Sequence, residues 1–305
     1  MAKSLLDGRP VAARVFGHTA YVKRPTVSVV MPALNEAAHI CTVIGSLAPQ
    51  IEAYGAELVV AEGGSTDGTR ELLDDLGRRY RWLRVIDNPE RHPAIGLNRA
   101  ISRAEADWII RADAHTLYSA DYLARCVEAL EKTPNAVVGG RLTPLATTPF
   151  GRAVAAAMTS PWAIGPAAFH RAGHRREVDT VYLGAFHRSV AARVGGYRAF
   201  PSRAGEDADF CARARAAGHE VWLDPEIRSV YRPRESPAAL ARQSWRYGLA
   251  KAEILLSTGR LPSWRPLAPL GLIVLLLRSL AGSACRARLS RVLTVESGMF
   301  SISEI

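Results

Sequence analysis

The 305-residue chain is sparing with cysteine. Cys41, Cys126, Cys211 and Cys285 lie far apart with no CxxC pair, which argues against a disulfide framework or a cysteine zinc site and reads as isolated thiols of a reducing compartment. The N-terminus lacks the apolar core of a signal peptide, so no export is expected. Near the C-terminus the uncharged run 266–277 has twelve residues, short of the roughly 20 that span a bilayer. The glycine-rich stretch AEGGSTDGT (61–69 within 56–69) has no Gly-Lys-Ser/Thr and supplies no GxGxxG, so neither common phosphate cradle is present there. Internal repeats and low-complexity tracts are also missing.

What the chain has is apolar material and an uneven charge. It is 48% hydrophobic and 22% charged, enough for a sizeable core and unlike a disordered chain. The formal charge is +10. Twelve Arg/Lys and two Glu fall between Arg228 and Arg291, while the remainder balances at 27 basic and 27 acidic groups. A neutral body with a basic C-terminal quarter points to nucleic acid, an anionic membrane surface or phosphorylated ligands. The run 266–277, flanked by Trp264, Arg260, Arg265, Arg278, Arg286 and Arg288, reads equally as a core helix and as membrane-surface or re-entrant contact.

Residues 1–25 form a leading arm. TVSVVMPALNE (26–36) reads as a buried strand, followed by helical spacing through Ile40, Val43, Ile44 and Leu47. AELVVAEGGSTDGT (56–69) repeats the arrangement, with RELLDDLGRRY as its helix. WLRVIDNP (82–89) and DWIIRADAH (107–115) read as strands, AIGLNRAISRA (94–104) and ADYLARCVEALEKT (120–133) as helices. This alternation predicts an α/β domain with a mainly parallel sheet. A second half opens at NAVVGGRLTPL (135–145). It holds a strand over DTVYLGAFHR (179–188), a VGGY turn, a helix over 207–218, a strand over HEVWLDP (219–225) and a basic, aromatic helix at ARQSWRYGLAK (241–251).

Open α/β sheets bind ligands at the carboxyl ends of their strands. Four such ends carry polar groups: PALNE, AEGGSTD, DNPERH and RADAH. In the second, Ser65 and Asp67 are placed to cap the following helix, and Glu62 at the strand tip to accept hydrogen bonds from a base or ribose. In the fourth, Asp113 and His115 stand two apart, which on an extended chain puts both on one face. Carboxylate plus imidazole suits Mn²⁺ or a similar borderline ion, whereas Mg²⁺ prefers oxygen alone. Alone, such a pair reads more readily as a turn. Glu206 and Asp207 follow a glycine at a helix start, where acids suit the dipole; the functional reading is a general base. Gln243, Arg246 and Tyr247 read as an amphipathic surface or, opposite a diphosphate, as a cationic clamp.

In this order, VSVVMPALNE, VVAEGGSTDGT, NPERHPAIGLNRAI, RADAH, VGGYRAFPSRAGEDADFCARARAAGHEVW and QSWRY resemble glycosyltransferase family 2, covering about residues 26–250. RADAHTLY and DTVYLGAFHR resemble more narrowly its succinoglycan-type exopolysaccharide members. The resemblance implies a GT-A fold, a Rossmann-like mixed, mainly parallel sheet flanked by helices. It implies a nucleotide-sugar-binding half (26–134), an acceptor half (135–250) and a basic, apolar C-terminal segment (251–305). By the same resemblance Pro32, Ala33, Asn35, Glu36, Glu62, Ser65, Asp67, Asn98, Arg111 and Asp113 lie on the donor side. Asp113 and His115 fall at the metal-binding DxD position, with Mn²⁺ or Mg²⁺ expected. Asp207 falls at the catalytic base, and Glu206, Gln243, Arg246 and Tyr247 by the diphosphate and acceptor.

The chain departs from the family pattern at three points. Glu62-Gly63 stands where Asp-Asp is frequent, His115 replaces the second Asp of DxD, and Tyr247 replaces the Trp of QxxRW. With a single short apolar run, addition of one sugar is favoured over polymerisation. The resulting expectation is an inverting hexosyltransferase using a UDP-hexose, UDP-glucose first, on a lipid-linked saccharide acceptor. It would work in the cytoplasm at the inner face of an anionic membrane, without nucleic acid as partner. The alternatives are a sugar-1-phosphate nucleotidyltransferase, whose basic glycine-rich first loop PALNE does not supply, and a non-catalytic sugar- or nucleic-acid-binding module.

Overall fold

The computed structural model describes residues 12–15, 18–21, 27–160 and 173–259. These belong to one compact unit, residues 1–262; a second unit, 263–305, lies outside the described residues, and with it the expected apolar run 266–277 and the last fifteen residues. Strands β1 (Ala12–Val15) and β2 (His18–Tyr21) pair antiparallel in the stretch expected to be a leading arm.

The main sheet contains β3 (Val27–Ala33), β4 (Glu57–Glu62), β5 (Leu83–Asp87), β6 (Trp108–Arg111), β7 (Leu117–Tyr118), β8 (Val137–Pro144), β9 (Arg176–Glu177), β10 (Ala185–His187) and β11 (Val221–Tyr231). The helices are α1 (Ile40–Tyr54), α2 (Thr69–Arg79), α3 (Pro93–Arg103), α4 (Tyr122–Lys132), α5 (Pro149–Thr159), α6 (Arg188–Val194), α7 (Glu206–Ala216) and α8 (Pro237–Thr258). The order across the sheet is β5-β4-β3-β6-β10-β8-β11-β7, with β9 paired to β11. β5, β4, β3, β6, β8 and β11 run the same way, while β10, β7 and β9 run against them.

Alternation along the central strands builds two apolar layers, because successive side chains point to opposite faces. Val29, Met31, Val60 and Ile110 pack with Ile44 and Leu47 of α1 and Leu123 of α4. Val30, Val59, Ala61 and Ile109 pack on the other face with Leu97 of α3 and Phe210 of α7. Strands buried on both faces read as continuous apolar runs, which is why VSVVM, LVVA and WII stand out in the sequence. From β3 the chain moves outward to β4 and β5, then returns to place β6 on the other side of β3. This reversal makes the carboxyl ends of β3 and β6 the switch point where such sheets hold ligands.

Several elements differ from expectation. The strand expected over 107–115 ends at Arg111. Ala112 N–H still reaches Val30 O, but Asp113 N–H goes to the Tyr118 hydroxyl at 2.7 Å, so Asp113 and His115 lie in a turn rather than on an extended chain. Of DTVYLGAFHR only Ala185–His187 is strand, because Leu183 adopts φ +53° and breaks the extended path. HEVWLDP instead continues to Tyr231, with a register shift between Asp224 and Arg228 that accommodates Pro225, which has no N–H for the ladder. Helix α8 begins where Ser236 Oγ accepts Ala239 N–H and Pro237 takes the first turn. It continues through the expected boundary at residue 250. Among the described residues no helix is long and apolar enough to cross a membrane.

Candidate active site

Four parallel strand ends set out the site. The loops after β3 and β4 are tied directly to each other. Asn35, at φ +57°, donates its N–H to Ser65 Oγ (2.8 Å) and accepts Thr66 N–H at Oδ1 (2.9 Å). Glu36 N–H bonds to Thr69 Oγ1, and Ala37 N–H to Asp67 Oδ2. Ser65 therefore serves the loop after β3 and does not cap α2, whose N-cap is Gly68. Asp67 holds Thr69 through both its N–H and its hydroxyl. Pro32 and Ala33 close β3, with Ala33 level with Glu62 in the neighbouring strand.

Glu62 is 2% exposed, and its oxygens accept Gly64 N–H (3.0 Å) and Ser65 N–H (2.7 Å). Burial alone would raise this carboxyl. The bonds from Ser65 and Gly64 and the guanidinium of Arg70 outweigh burial and hold it below the usual range. Asn98 likewise spends its amide within the protein: Nδ2 donates to Tyr197 O (2.7 Å) and Oδ1 accepts Tyr197 N–H (2.8 Å). That exchange pins α3 to the VGGY turn. Gly196 has φ +70°, and a Cβ there would stand 2.5 Å from Asn98 Oδ1, so the turn requires glycine.

At the end of β6, Arg111 is the centre of an acidic cluster. Its guanidinium bonds Asp113 Oδ1 (3.2 Å), Glu206 Oε1 (3.0 Å) and Asp207 Oδ1, and its Cζ lies 5.7 Å from the centre of the Tyr197 ring. Glu206 and Asp207 reach it because Gly205, at φ +83°, starts α7 directly over the strand end. Asp207 is the more open of the pair, its side chain 25% exposed against 12% for Glu206. One cation faces three carboxylates. Burial, Glu206 and Asp113 together outweigh Arg111 at Asp207, whose carboxyl is pushed up to about 7. Asp113 goes the other way: against burial, Arg111, His115 and the Tyr182 hydroxyl hold it below the carboxylate range.

Asp113 Oδ2 accepts the Tyr182 hydroxyl at 3.0 Å, and Tyr182 in turn meets Thr116 Oγ1 at 2.9 Å. The Tyr118 hydroxyl holds both the N–H and the carbonyl of Asp113. These three tyrosines, Tyr118, Tyr182 and Tyr197, escaped the sequence reading. All three lie inside sequence motifs, Tyr118 in RADAHTLY, Tyr182 in DTVYLGAFHR and Tyr197 in VGGY, but carry no spacing signal of their own.

His115 Nδ1 lies 3.0 Å from Glu36 Oε1. A carboxylate only accepts, so Nδ1 carries the proton and Nε2 is the nitrogen left for a ligand. This contact and the charge of Asp113 raise the imidazole above its ordinary value, against burial and Arg234. A carboxylate behind one ring nitrogen is the usual support of a metal-ligating histidine. Among the described residues no three His, Cys, Asp or Glu side chains gather as a complete metal cage. Asp113 Oδ1 is already bonded by Arg111 and Oδ2 by Tyr182, so of the expected pair His115 Nε2 is the ligand atom left without a bond among the described residues.

Further along the chain, Gln243 Nε2 donates to the hydroxyls of Tyr231 (3.0 Å) and Tyr247 (3.2 Å), which seats the QxxRY element of α8 at the end of β11. Arg246 is exposed. The following turns hold α8 against the loop before α7. Glu253 accepts Ser202 N–H and hydroxyl, and Ala250 and Ile254 stand 3.1 Å from where a Gly205 Cβ would be.

A family model for glycosyl transferase family 2 matches residues 28–192, from the first residues of β3 into α6. The chain belongs to glycosyltransferase family 2. A succinoglycan biosynthesis protein, ExoA of Rhizobium meliloti (strain 1021), is 36% identical over 248 residues, 79% of this chain and 74% of that protein. Among solved structures, the mannosyltransferase PcManGT from Pyrobaculum calidifontis, in complex with GDP-Man and Mn²⁺, superposes with a TM-score of 0.58 at 21% identity, covering 81% of this chain and 68% of that one. Staphylococcus aureus TarS 1–349 in complex with UDP-GlcNAc gives 0.54 at 17% identity, covering 75% and 66%. As a family 2 enzyme of GT-A fold the chain is a glycosyltransferase, and the nucleotidyltransferase and non-catalytic readings fall away.

Proposed function

We propose that this glycosyltransferase moves a single sugar, with inversion, from a nucleoside diphosphate sugar to a lipid-linked saccharide acceptor in the assembly of a bacterial exopolysaccharide or cell-surface glycan, at the cytoplasmic face of the membrane. UDP-hexoses are the first candidate donors and UDP-glucose the first among them. The observation that carries the reading is the placement of Asp207, an open carboxylate on a buried acidic cluster beside the switch point of the sheet. The 36% identical relative, a succinoglycan biosynthesis protein, supports the exopolysaccharide setting.

In this reading Asp207 accepts the proton of an acceptor hydroxyl as its oxygen attacks the anomeric carbon. The bond from that carbon to the diphosphate breaks on the opposite side, and the bonding pair leaves with the nucleoside diphosphate. Arg111 orients Asp207 and Asp113 with one guanidinium, while Glu36 orients His115. Asp113 and His115 would hold a divalent cation, Mn²⁺ or Mg²⁺, whose charge offsets that developing on the diphosphate. Glu206, Gln243, Arg246 and Tyr247 line the acceptor and diphosphate side, with Arg246 supplying a cation. Pro32, Ala33, Asn35, Glu36, Glu62, Ser65, Asp67, Asn98 and Arg111 shape the donor side, several of them through the loop contacts described above.

A binding and turnover screen of UDP-, GDP- and dTDP-sugars, with and without Mn²⁺, tests the proposal. One donor should bind in a metal-dependent way and release free nucleoside diphosphate when acceptor is added. Release of pyrophosphate, or no donor binding at all, would overturn it.

A further inference from the structure

Helix α8 is 22 residues long, yet only Ala250 and Ile254 are buried. Its inner face is accounted for by Gln243 against Tyr231, Glu253 on Ser202, and Ala250 and Ile254 beneath Gly205. On the opposite side Ala241, Trp245, Gly248, Leu249, Ala252 and Leu256 recur at spacings of three and four, which sets them in one stripe on a 3.6-residue helix. All six are exposed; Trp245 is 71% and Leu256 86% accessible. The stripe is about 22 Å long at 1.5 Å per residue. Around Gly248 the surface formed by Ala241, Ser244, Trp245 and Leu249 is almost wholly apolar.

Charge decides what such a face meets. The stripe itself has none, and Arg242 and Arg246 stand along one flank. The helix carries one acid, Glu253, and that is bonded to Ser202. A tryptophan within an uncharged stripe, basic residues at its border and no free acid on the helix together complement an anionic lipid surface, which takes an apolar face and cationic edges at once. The chemistry continues in the sequence after α8, where Trp264, the run 266–277 and Arg260, Arg265, Arg278, Arg286, Arg288 and Arg291 follow with no acid between.

We infer that the outer face of α8 is a membrane-docking surface that lies flat on an anionic bilayer, with Trp245, Leu249 and Leu256 in the interface and Arg242 at the headgroups. It deepens the proposed use of a lipid-linked acceptor and rests on that reading for its purpose. The inner face of the same helix carries Gln243 and Tyr247 and packs under the start of α7, so docking by the outer face brings Asp207 near the plane where such an acceptor is anchored.

The test is flotation of the full-length protein with vesicles of phosphatidylcholine alone or with added phosphatidylglycerol, alongside donor binding and transfer to a water-soluble acceptor measured without vesicles. Wild-type protein should float with the anionic vesicles and much less with neutral ones. Leu256→Asp, and separately the triple variant Trp245→Ser/Leu249→Ser/Leu256→Ser, should lose partitioning by about tenfold or more. Arg242→Gln should lose about fivefold on anionic vesicles only. Donor binding in solution should stay as in wild type for all of them. Wild-type protein that fails to float, variants that float like wild type, or a stripe-dependent dimer that ignores vesicles would each overturn the inference. Flotation that depends on the stripe, without transfer to any acceptor, would instead count against the proposed reaction and leave the surface standing.

Discussion

His115 Nδ1 sits 3.0 Å from Glu36 Oε1, and this one contact joins the turn after β6 to the turn after β3 across the switch point of the sheet. Glu36 thereby fixes which imidazole nitrogen faces the site. Glu36→Gln should weaken Mn²⁺ binding by about 10- to 100-fold, the usual effect of losing such a support. Titration calorimetry with Mn²⁺ and a nucleoside diphosphate reads this directly, and an unchanged affinity would separate His115 from the metal.

Asp207→Asn removes the proposed proton acceptor and the negative charge it sets against Arg111, while keeping nearly the same shape. Turnover should fall by about 10²- to 10⁴-fold while the donor dissociation constant stays near that of wild type. Steady-state transfer and equilibrium donor binding, measured on the same preparation, give the two numbers. Near-normal turnover would assign the base elsewhere.

The raised value at Asp207, about 7, gives the reaction a pH signature. A base must be ionised, so kcat/KM should fall about tenfold per pH unit below 7 and level off above it. The stability effect has the opposite sense. A carboxyl raised on folding contributes favourably below its unfolded value and loses that contribution as pH rises through 7. Asp207→Asn should therefore melt above wild type at pH 8.5, and the gap should close as pH is lowered toward 4.

Arg111 is buried among Asp113, Glu206 and Asp207. Arg111→Met leaves three carboxylates without a cation and should cost about 3–5 kcal/mol of stability. Because those carboxylates can protonate in acid, the loss should be larger at pH 8 than at pH 5. Denaturant unfolding at the two pH values measures the difference.

Gly196→Ala forces a side chain into a left-handed position and against Asn98 Oδ1. The expected loss is about 1–3 kcal/mol. Asn98→Ala in the same background should recover part of it, since the clash disappears, and a double-mutant cycle measures that coupling.

The framework of β3, β4 and β6 was legible in the sequence because strands buried on both faces leave unbroken apolar runs, and glycine and acid at their ends mark the turns. The helix start at Glu206 was legible for a similar reason, whereas α8 was expected at 241–251 and begins at Pro237. Less visible was anything whose partner is far along the chain. That Tyr197 holds the Asn98 amide could not be read from the sequence, and Ser65 appeared as a helix cap, whereas it holds Asn35. Leu183 carries no glycine signal for its left-handed backbone, so a ten-residue strand was expected where three residues pair. In the sequence Arg111 lies within the strand expected over 107–115 and, by resemblance, on the donor side. Only the fold could show it gathering Asp113 from the turn after β6 together with Glu206 and Asp207 from the start of α7, 95 and 96 residues further along the chain.

A Cβ on Gly205 would stand 3.1 Å from Ala250 and Ile254, so the turn that presents Asp207 packs closely against α8. One helix, about 10 Å across, would therefore separate the proposed acceptor contact at Asp207 from the outward face at Trp245. Two ligands bearing on opposite sides of one element are bound by linkage. Whatever factor a lipid surface adds to acceptor affinity, the acceptor adds to the hold on the surface. An enzyme built this way would stay longest on the membrane where its acceptor is most abundant, and leave as that acceptor is used up.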